Sequence, residues 1–211
     1  MPGKDSADMR IGIFGGTFNP IHTGHLIIAQ EVTFQLQLDK TLFIPAGNPP
    51  HKQNEELAAA INRKEMVELA IAGNKWFELE PFELNQSEIS YTIRTLEYLQ
   101  GKYAGGAFTL IVGADMVFDL VHWRESLRIA EMLDHIAAVR RPGSSFSTED
   151  MRRLAENLHG YHNKVIAIEA PQIAVSSSMI RSRVRNHEPI HYLVPSGVEA
   201  YIRQNHLYSA E

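Results

Sequence analysis

The chain contains no cysteine. Disulfide staples, thiolate nucleophiles, and cysteine-ligated zinc or iron–sulfur centres are therefore excluded. Positive charge is also scarce: 20 Lys and Arg stand against 25 Asp and Glu, a formal net charge of −5. Generic nucleic-acid binders carry basic surfaces, so a small-molecule partner is expected and nucleic acid is not. No apolar run reaches the ~18 residues needed to cross a bilayer, so no membrane is expected either. Residues 1–8 are polar and lack the apolar core of a secretory leader; residues 1–9 are expected to be disordered and the protein cytoplasmic. Two nucleotide signatures are missing as well. There is no G-x-G-x-x-G, and no glycine-rich loop ending in Lys-Ser/Thr, so neither a dinucleotide-dependent dehydrogenase nor a P-loop kinase is supported. Internal repeats and low-complexity linkers are absent.

What is present is enough apolar material, 44% of 211 residues, for one full-sized domain over residues 10–211. Short unalternating apolar runs mark strands at Arg10–Gly15, Thr41–Pro45, Trp76–Leu79, Phe108–Val112, His135–Val139 and Val165–Ile168. Such runs suit strands covered on both faces. Helical patterns fall between them, near 23–37, 60–73, 91–103, 124–133 and 148–159, with two more near 177–186 and 195–205. Strand–helix alternation predicts an α/β fold with a Rossmann-like, doubly wound parallel sheet and C-terminal helices. In such a fold the segments after each strand gather on one edge of the sheet, where ligands bind.

One of those segments is Gly15-Gly16-Thr17-Phe18-Asn19-Pro20-Ile21-His22-Thr23-Gly24-His25-Leu26. Glycines at a strand's carboxyl end allow close approach to the backbone. His22 and His25 are three apart at a helix start, on one face, beside free N–H groups and the positive end of the helix dipole. Gly24 removes a side chain where a ligand would press on the helix. Two imidazoles there can donate to a phosphate; surface histidines or a metal pair are the alternatives, and a metal pair would need further ligands in defined geometry. Near the other end, Ser176-Ser177-Ser178 precedes a helix carrying Arg181 one turn in. One serine can serve as an N-cap, yet three hydroxyls and a forked guanidinium also suit a polyphosphate.

These two anion sites, in this order, resemble the nucleotidyltransferase superfamily with the His-x-Gly-His element. Finer features point within it: PAGNPPHK (45–52), SYTIRTL (90–96), VGADM (112–116) with Trp123, RRPG (140–143), VSSSMIRSRV (175–184) and YLVPSGVEAYIRQNHLY (192–208). The pattern is similar to bacterial nicotinate-mononucleotide adenylyltransferase over about residues 10–208. Three places depart from that pattern: Asn19 where Asp is common, Ser178 where Thr is common, and the pair Asn186-His187 in place of a more usual glycine.

The resemblance implies attack by the phosphate of nicotinate mononucleotide on the α-phosphorus of ATP, with release of pyrophosphate. It assigns His22, His25 and Arg181 as catalytic. ATP would also meet the backbone of Gly15, Gly16, Thr17 and Phe18, with Gly113 and Asp115 at the nucleoside and Ser177 and Ser178 at the outer phosphates. Nicotinate mononucleotide would meet Lys52, Tyr91, Thr92 and Trp123. The N–H groups at a helix start near Tyr91 and Thr92 suit a carboxylate, although Ser90 or Thr92 can equally be an N-cap; Trp123 can stack on a pyridine or simply pack in the core. Mg²⁺ is implied, held mainly by the ATP phosphates and water, with no protein metal site. A homo-oligomer is compatible with the pattern. The other histidines, His122 and His191 among them, are given no role. Phosphopantetheine adenylyltransferase or a cytidylyltransferase is the nearest rival; chain length, the PPHK loop, SYT and Trp123 argue against it. A class I aminoacyl-tRNA synthetase would need a further, basic domain. A non-catalytic nucleotide sensor would keep the fold without the turnover.

Overall fold

The structure is a computed structural model that describes residues 9–49, 57–140, 161, 163–171 and 173–209. The segment expected to be disordered at 1–9 and the helix expected at 148–159 lie outside the described residues, apart from Met9. Six strands form one sheet: β1 (Arg10–Gly16), β2 (Lys40–Pro45), β3 (Phe77–Leu79), β4 (Ala107–Gly113), β5 (His135–Val139) and β6 (Val165–Ile168). Their spatial order is β3-β2-β1-β4-β5-β6 and every pairing is parallel. This is the doubly wound order, with its switch point between β1 and β4.

The helices are α1 (Thr23–Gln35), α2 (Ala60–Ile71), α3 (Thr92–Lys102), α4 (Ser126–Met132), α5 (Ser177–Arg185) and α6 (Ser196–Gln204). Among the described residues two 3₁₀ segments, Phe82–Asn85 and Ala114–His122, stand in stretches to which the sequence assigned neither strand nor helix. Side chains alternate across each strand, so the core divides in two. Ile11, Ile13, Leu42, Ile44, Leu110 and Ile136 pack against α3, α4 and the second 3₁₀ segment. Phe14, Phe43, Ile111, Ala137 and Val139 pack against α1, α2, α5 and α6. A strand that is buried on both faces has no polar row, which is why its sequence reads as a continuous apolar run.

The chain leaving β1 turns to one face, and the chain leaving β4 to the other, which opens a crevice at their carboxyl ends. Helix α5 ends as helices do despite its missing glycine: His187 takes φ +58°, and the N–H groups of His187 and Glu188 return to Val184 O (3.1 Å) and Arg183 O (2.8 Å). Histidine enters the left-handed region more readily than branched residues do. The departure at Asn186-His187 therefore leaves the helix end intact.

Candidate active site

His22 is the N-cap of α1 and is 7% exposed. Its backbone N–H donates to His25 Nδ1 at 3.2 Å. An imidazole nitrogen that accepts carries no proton, so neutral His25 keeps its proton on Nε2, as a donor. The two rings stack, with centroids 3.6 Å apart and planes 24° from parallel. Phe14 and Phe18 meet the His25 ring edge-on at 6.0 and 5.1 Å. A ring held between a backbone donor and two aromatic neighbours is fixed before any ligand arrives.

The glycines divide unexpectedly. Gly15 is exposed at the sheet edge, and a Cβ there would meet nothing within 4 Å. This one leaves room for an approaching ligand. At Gly16 a Cβ would press on the Phe18 ring at 3.1 Å, and at Gly24 on the His22 ring at 3.1 Å. The clearance expected for a ligand at Gly24 is thus taken by the histidine itself; the glycine lets the imidazole lie flat against α1. Phe18 is 2% exposed with φ +47°, so its backbone, not its ring, faces the site.

The α5 side is bonded to this loop. Ser176 is the N-cap, accepting from Met179 N at 3.2 Å, so it takes the capping role. Ser177 Oγ donates to Pro20 O at 2.8 Å. Arg181 donates from Nη1 to Asn19 O at 2.8 Å and from Nη2 to Ser178 Oγ at 3.3 Å. Asn19, 2% exposed, accepts at Oδ1 from Ala58 N (3.1 Å) and Tyr208 Oη (2.8 Å). Its amide oxygen thus does here what a carboxylate oxygen could do without bringing a negative charge. Thr23 ties in α6's approach through its N–H to Leu193 O at 3.0 Å.

Across the crevice lies a cleft of about 810 Å³, lined by Thr17, Pro49, Ser90, Tyr91, Thr92, Met116, Asp119, His122, Trp123, Arg124 and Ile129. Its size suits a small organic ligand. Thr17, Tyr91, Thr92 and Trp123 were expected at a site and are brought together; Gly113 and the exposed Asp115 sit at the end of β4, outside this cleft. Trp123 both lines the cleft and packs on the core, so the two readings of it coexist. The residue preceding α3 is Tyr91, and no side chain caps that helix. Ser90 is occupied elsewhere: its Oγ accepts from Gly47 N (3.0 Å) and Asn48 N (3.2 Å). Beneath it, Thr95 Oγ1 donates to Glu83 Oε1 at 2.6 Å. Burial pushes the Glu83 carboxyl up, against hydrogen bonds from Thr95 and Ser90 that pull it down.

Sequence reasoning missed three contributors. His122 and Arg124 line the cleft, with the Arg124 guanidinium 4.8 Å from the Tyr91 ring centroid. Arg63 is 2% exposed and donates to carbonyls of the segments that follow β1 and β2. Its signal was legible: it sits at helical spacing with Met66 and Val67 on the buried face of α2. His191 has local partners, Glu199 Oε2 at 2.7 Å and the Tyr192 ring with centroids 4.2 Å apart. Lys52 and three of the RRPG residues, 141–143, lie outside the described residues. Among the described residues no three His, Asp or Glu gather as metal ligands, and no helix is long and apolar enough to cross a membrane.

The cytidylyltransferase-like family model matches residues 13–183. A Bacillus subtilis protein named nicotinate-nucleotide adenylyltransferase is 37% identical over 201 residues, 95% of this chain and 99% of its own. The chain belongs to the nicotinate-nucleotide adenylyltransferase family. A relative from Geobacillus kaustophilus, named "Probable nicotinate-nucleotide adenylyltransferase", is 44% identical over 95% of this chain and 87% of its own. The fold of the adenylyltransferase family extends further than its sequence similarity. Plasmodium falciparum nicotinic acid mononucleotide adenylyltransferase, solved in complex with NaAD, superposes with a TM-score of 0.77 at 18% identity, covering 95% of this chain and 97% of that one.

Proposed function

We propose that this chain transfers the adenylyl group of ATP to nicotinate mononucleotide, giving nicotinate adenine dinucleotide and pyrophosphate in NAD biosynthesis. One observation carries the reading beyond family membership: Thr17 belongs to the histidine-bearing loop and also lines the 810 Å³ cleft. A donor phosphate at the loop and an acceptor in the cleft would therefore meet at one point. An oxygen of the mononucleotide phosphate attacks the α-phosphorus, a new P–O bond forms, and the bond to the β-phosphate bridging oxygen breaks. No covalent enzyme intermediate is needed, because the nucleophile arrives as an anion; catalysis is positioning and charge stabilisation.

In this reading His22 and His25 donate to the phosphates, and the backbone of Gly15, Gly16, Thr17 and Phe18 cradles them. Ser178 and Arg181 take the outer phosphates, while Ser177 holds the loop. Gly113 and Asp115 attend the nucleoside. The start of α3 at Tyr91 and Thr92 receives the nicotinate carboxylate, Trp123 the ring, and Lys52 the mononucleotide phosphate. A divalent cation, Mg²⁺ in this reading, would be held mainly by the ATP phosphates and water, and would supply neutralisation of their charge. The reading includes a single domain over 10–211, cytoplasmic and without nucleic-acid partners; assembly as a homo-oligomer is compatible with it. The test is pyrophosphate release with ATP and Mg²⁺. Nicotinate mononucleotide should support fast release, nicotinamide mononucleotide much slower, and phosphopantetheine none. Release with phosphopantetheine alone would overturn the acceptor; none with any acceptor would leave a nucleotide sensor.

A further inference from the structure

Arg63 places a guanidinium in the interior without an ion-pair partner among the described residues. All its described bonds go to backbone carbonyls. Nε donates to Ala58 O at 3.1 Å. Nη1 donates to Thr17 O at 2.9 Å and to Ala46 O at 2.6 Å, and Nη2 to Gly47 O at 3.2 Å. Thr17 lies just past β1; Ala46 and Gly47 lie just past β2. Gly47 is committed to this arrangement, since a Cβ there would fall 2.1 Å from Glu83 O. Its N–H meets Ser90, the residue before Tyr91 and the cleft.

We infer that Arg63 is a positioning residue that locks the β1 loop and the β2 loop into one arrangement, so that donor and acceptor are presented in register. The inference rests on the adenylyl-transfer reading for its kinetic consequence but not for its structural one. A planar fork can bond several carbonyls in fixed directions at once, which an ammonium or an apolar chain cannot do. In a trans peptide the N–H points away from its C=O; for the peptides of Ala46 and Gly47 those N–H groups, of Gly47 and Asn48, reach Ser90 Oγ and so extend the lock toward the start of α3. A buried charge satisfied only by carbonyls is costly to keep, and the carbonyls it holds are those of the two loops.

Two variants test this, Arg63→Lys, which keeps charge and length, and Arg63→Met, which keeps only length. If Arg63→Met fails to fold, Arg63→Lys decides alone. Hydrogen exchange by mass spectrometry should show faster exchange in both segments 15–19 and 46–48 of folded Arg63→Lys, by about tenfold or more, with β4 and β5 unchanged. The kinetic readout is a split: kcat per folded molecule should fall by about 100-fold, the scale of a misplacement near 1 Å, with KM for ATP and for nicotinate mononucleotide within about threefold. Unchanged exchange in the two segments overturns the inference whatever the wild type's substrate proves to be. Increased exchange in them with kcat retained overturns the alignment role. A wild type that does not turn over nicotinate mononucleotide sinks the functional reading instead, and the exchange result still decides this one.

Discussion

Two helix starts in this molecule, those of α1 and α3, are built in opposite ways. The start of α1, with α5 beside it, is closed by its own bonds: imidazole to backbone, Ser177 to Pro20, Arg181 to Asn19. The start of α3 has no side-chain cap and opens onto the 810 Å³ cleft. A polyphosphate brings high charge, and stabilising it in a transition state demands donors that are already aimed. A pyridine mononucleotide must instead be distinguished from close analogues, which demands a shaped space with a few free donors. Under the proposed adenylyl transfer, the closed end would serve rate and the open end selection.

The largest blow to the closed end should be His25→Ala. Loss of a donor to developing phosphate charge is expected to lower kcat by about 10²–10³-fold, with the fold intact by circular dichroism; a folded variant with full turnover would remove His25 from the chemistry. Arg181→Lys comes next. It keeps a charge but loses the fork that joins Asn19 O and Ser178. A drop of about 10- to 100-fold in kcat/KM for ATP is expected, from a charged hydrogen bond worth about 1.5–3 kcal/mol. Steady-state kinetics with saturating acceptor would measure it.

On the open side the effect should be smaller and of another kind. Trp123→Ala is expected to raise KM for nicotinate mononucleotide by about 3- to 10-fold, the scale of one aromatic stack, leaving KM for ATP alone. Equal changes in both constants would mean that Trp123 serves the core more than the cleft. The smallest effect concerns Glu83, below the cleft's rim. Its folded pKa is raised, chiefly by burial. Between its unfolded and its higher folded pKa the folded state binds more protons, so this group's contribution to stability declines as pH rises through the folded value. Glu83→Gln should therefore gain stability over the wild type as pH climbs above the ordinary carboxylate range of about 4.3, and not below it. Urea unfolding across that range, with a difference that stays flat, would refute the point.

Much of this was legible in the residues. Strands His135–Val139 and Val165–Ile168 fall where their apolar runs begin and end, and the others shift by a residue or so at an end. Periodicity and run length are local properties, read correctly because both faces of the sheet are covered. The geometry of the candidate site was legible where one helix start carries it alone: His22 and His25 do stand together at the start of α1. It was less legible where a glycine also answers to a neighbour: a Cβ at Gly16 would press on Phe18 and one at Gly24 on His22. The serines were similarly ambiguous until the structure made Ser176 the cap and turned Ser177 toward Pro20.

By itself, then, the sequence determined the alternation of strand and helix, the exclusion of thiol chemistry, and the pairing of His22 and His25 at a helix start, because each depends on residue type and short-range spacing. Which helix start is closed and which is open was decided by the tertiary structure. So was the bonding of Arg63 to two loops that are 29 residues apart at Thr17 and Ala46. The physical reason is that a hydrogen bond depends on distance and direction in space, and a parallel sheet brings chain ends together that no local pattern connects.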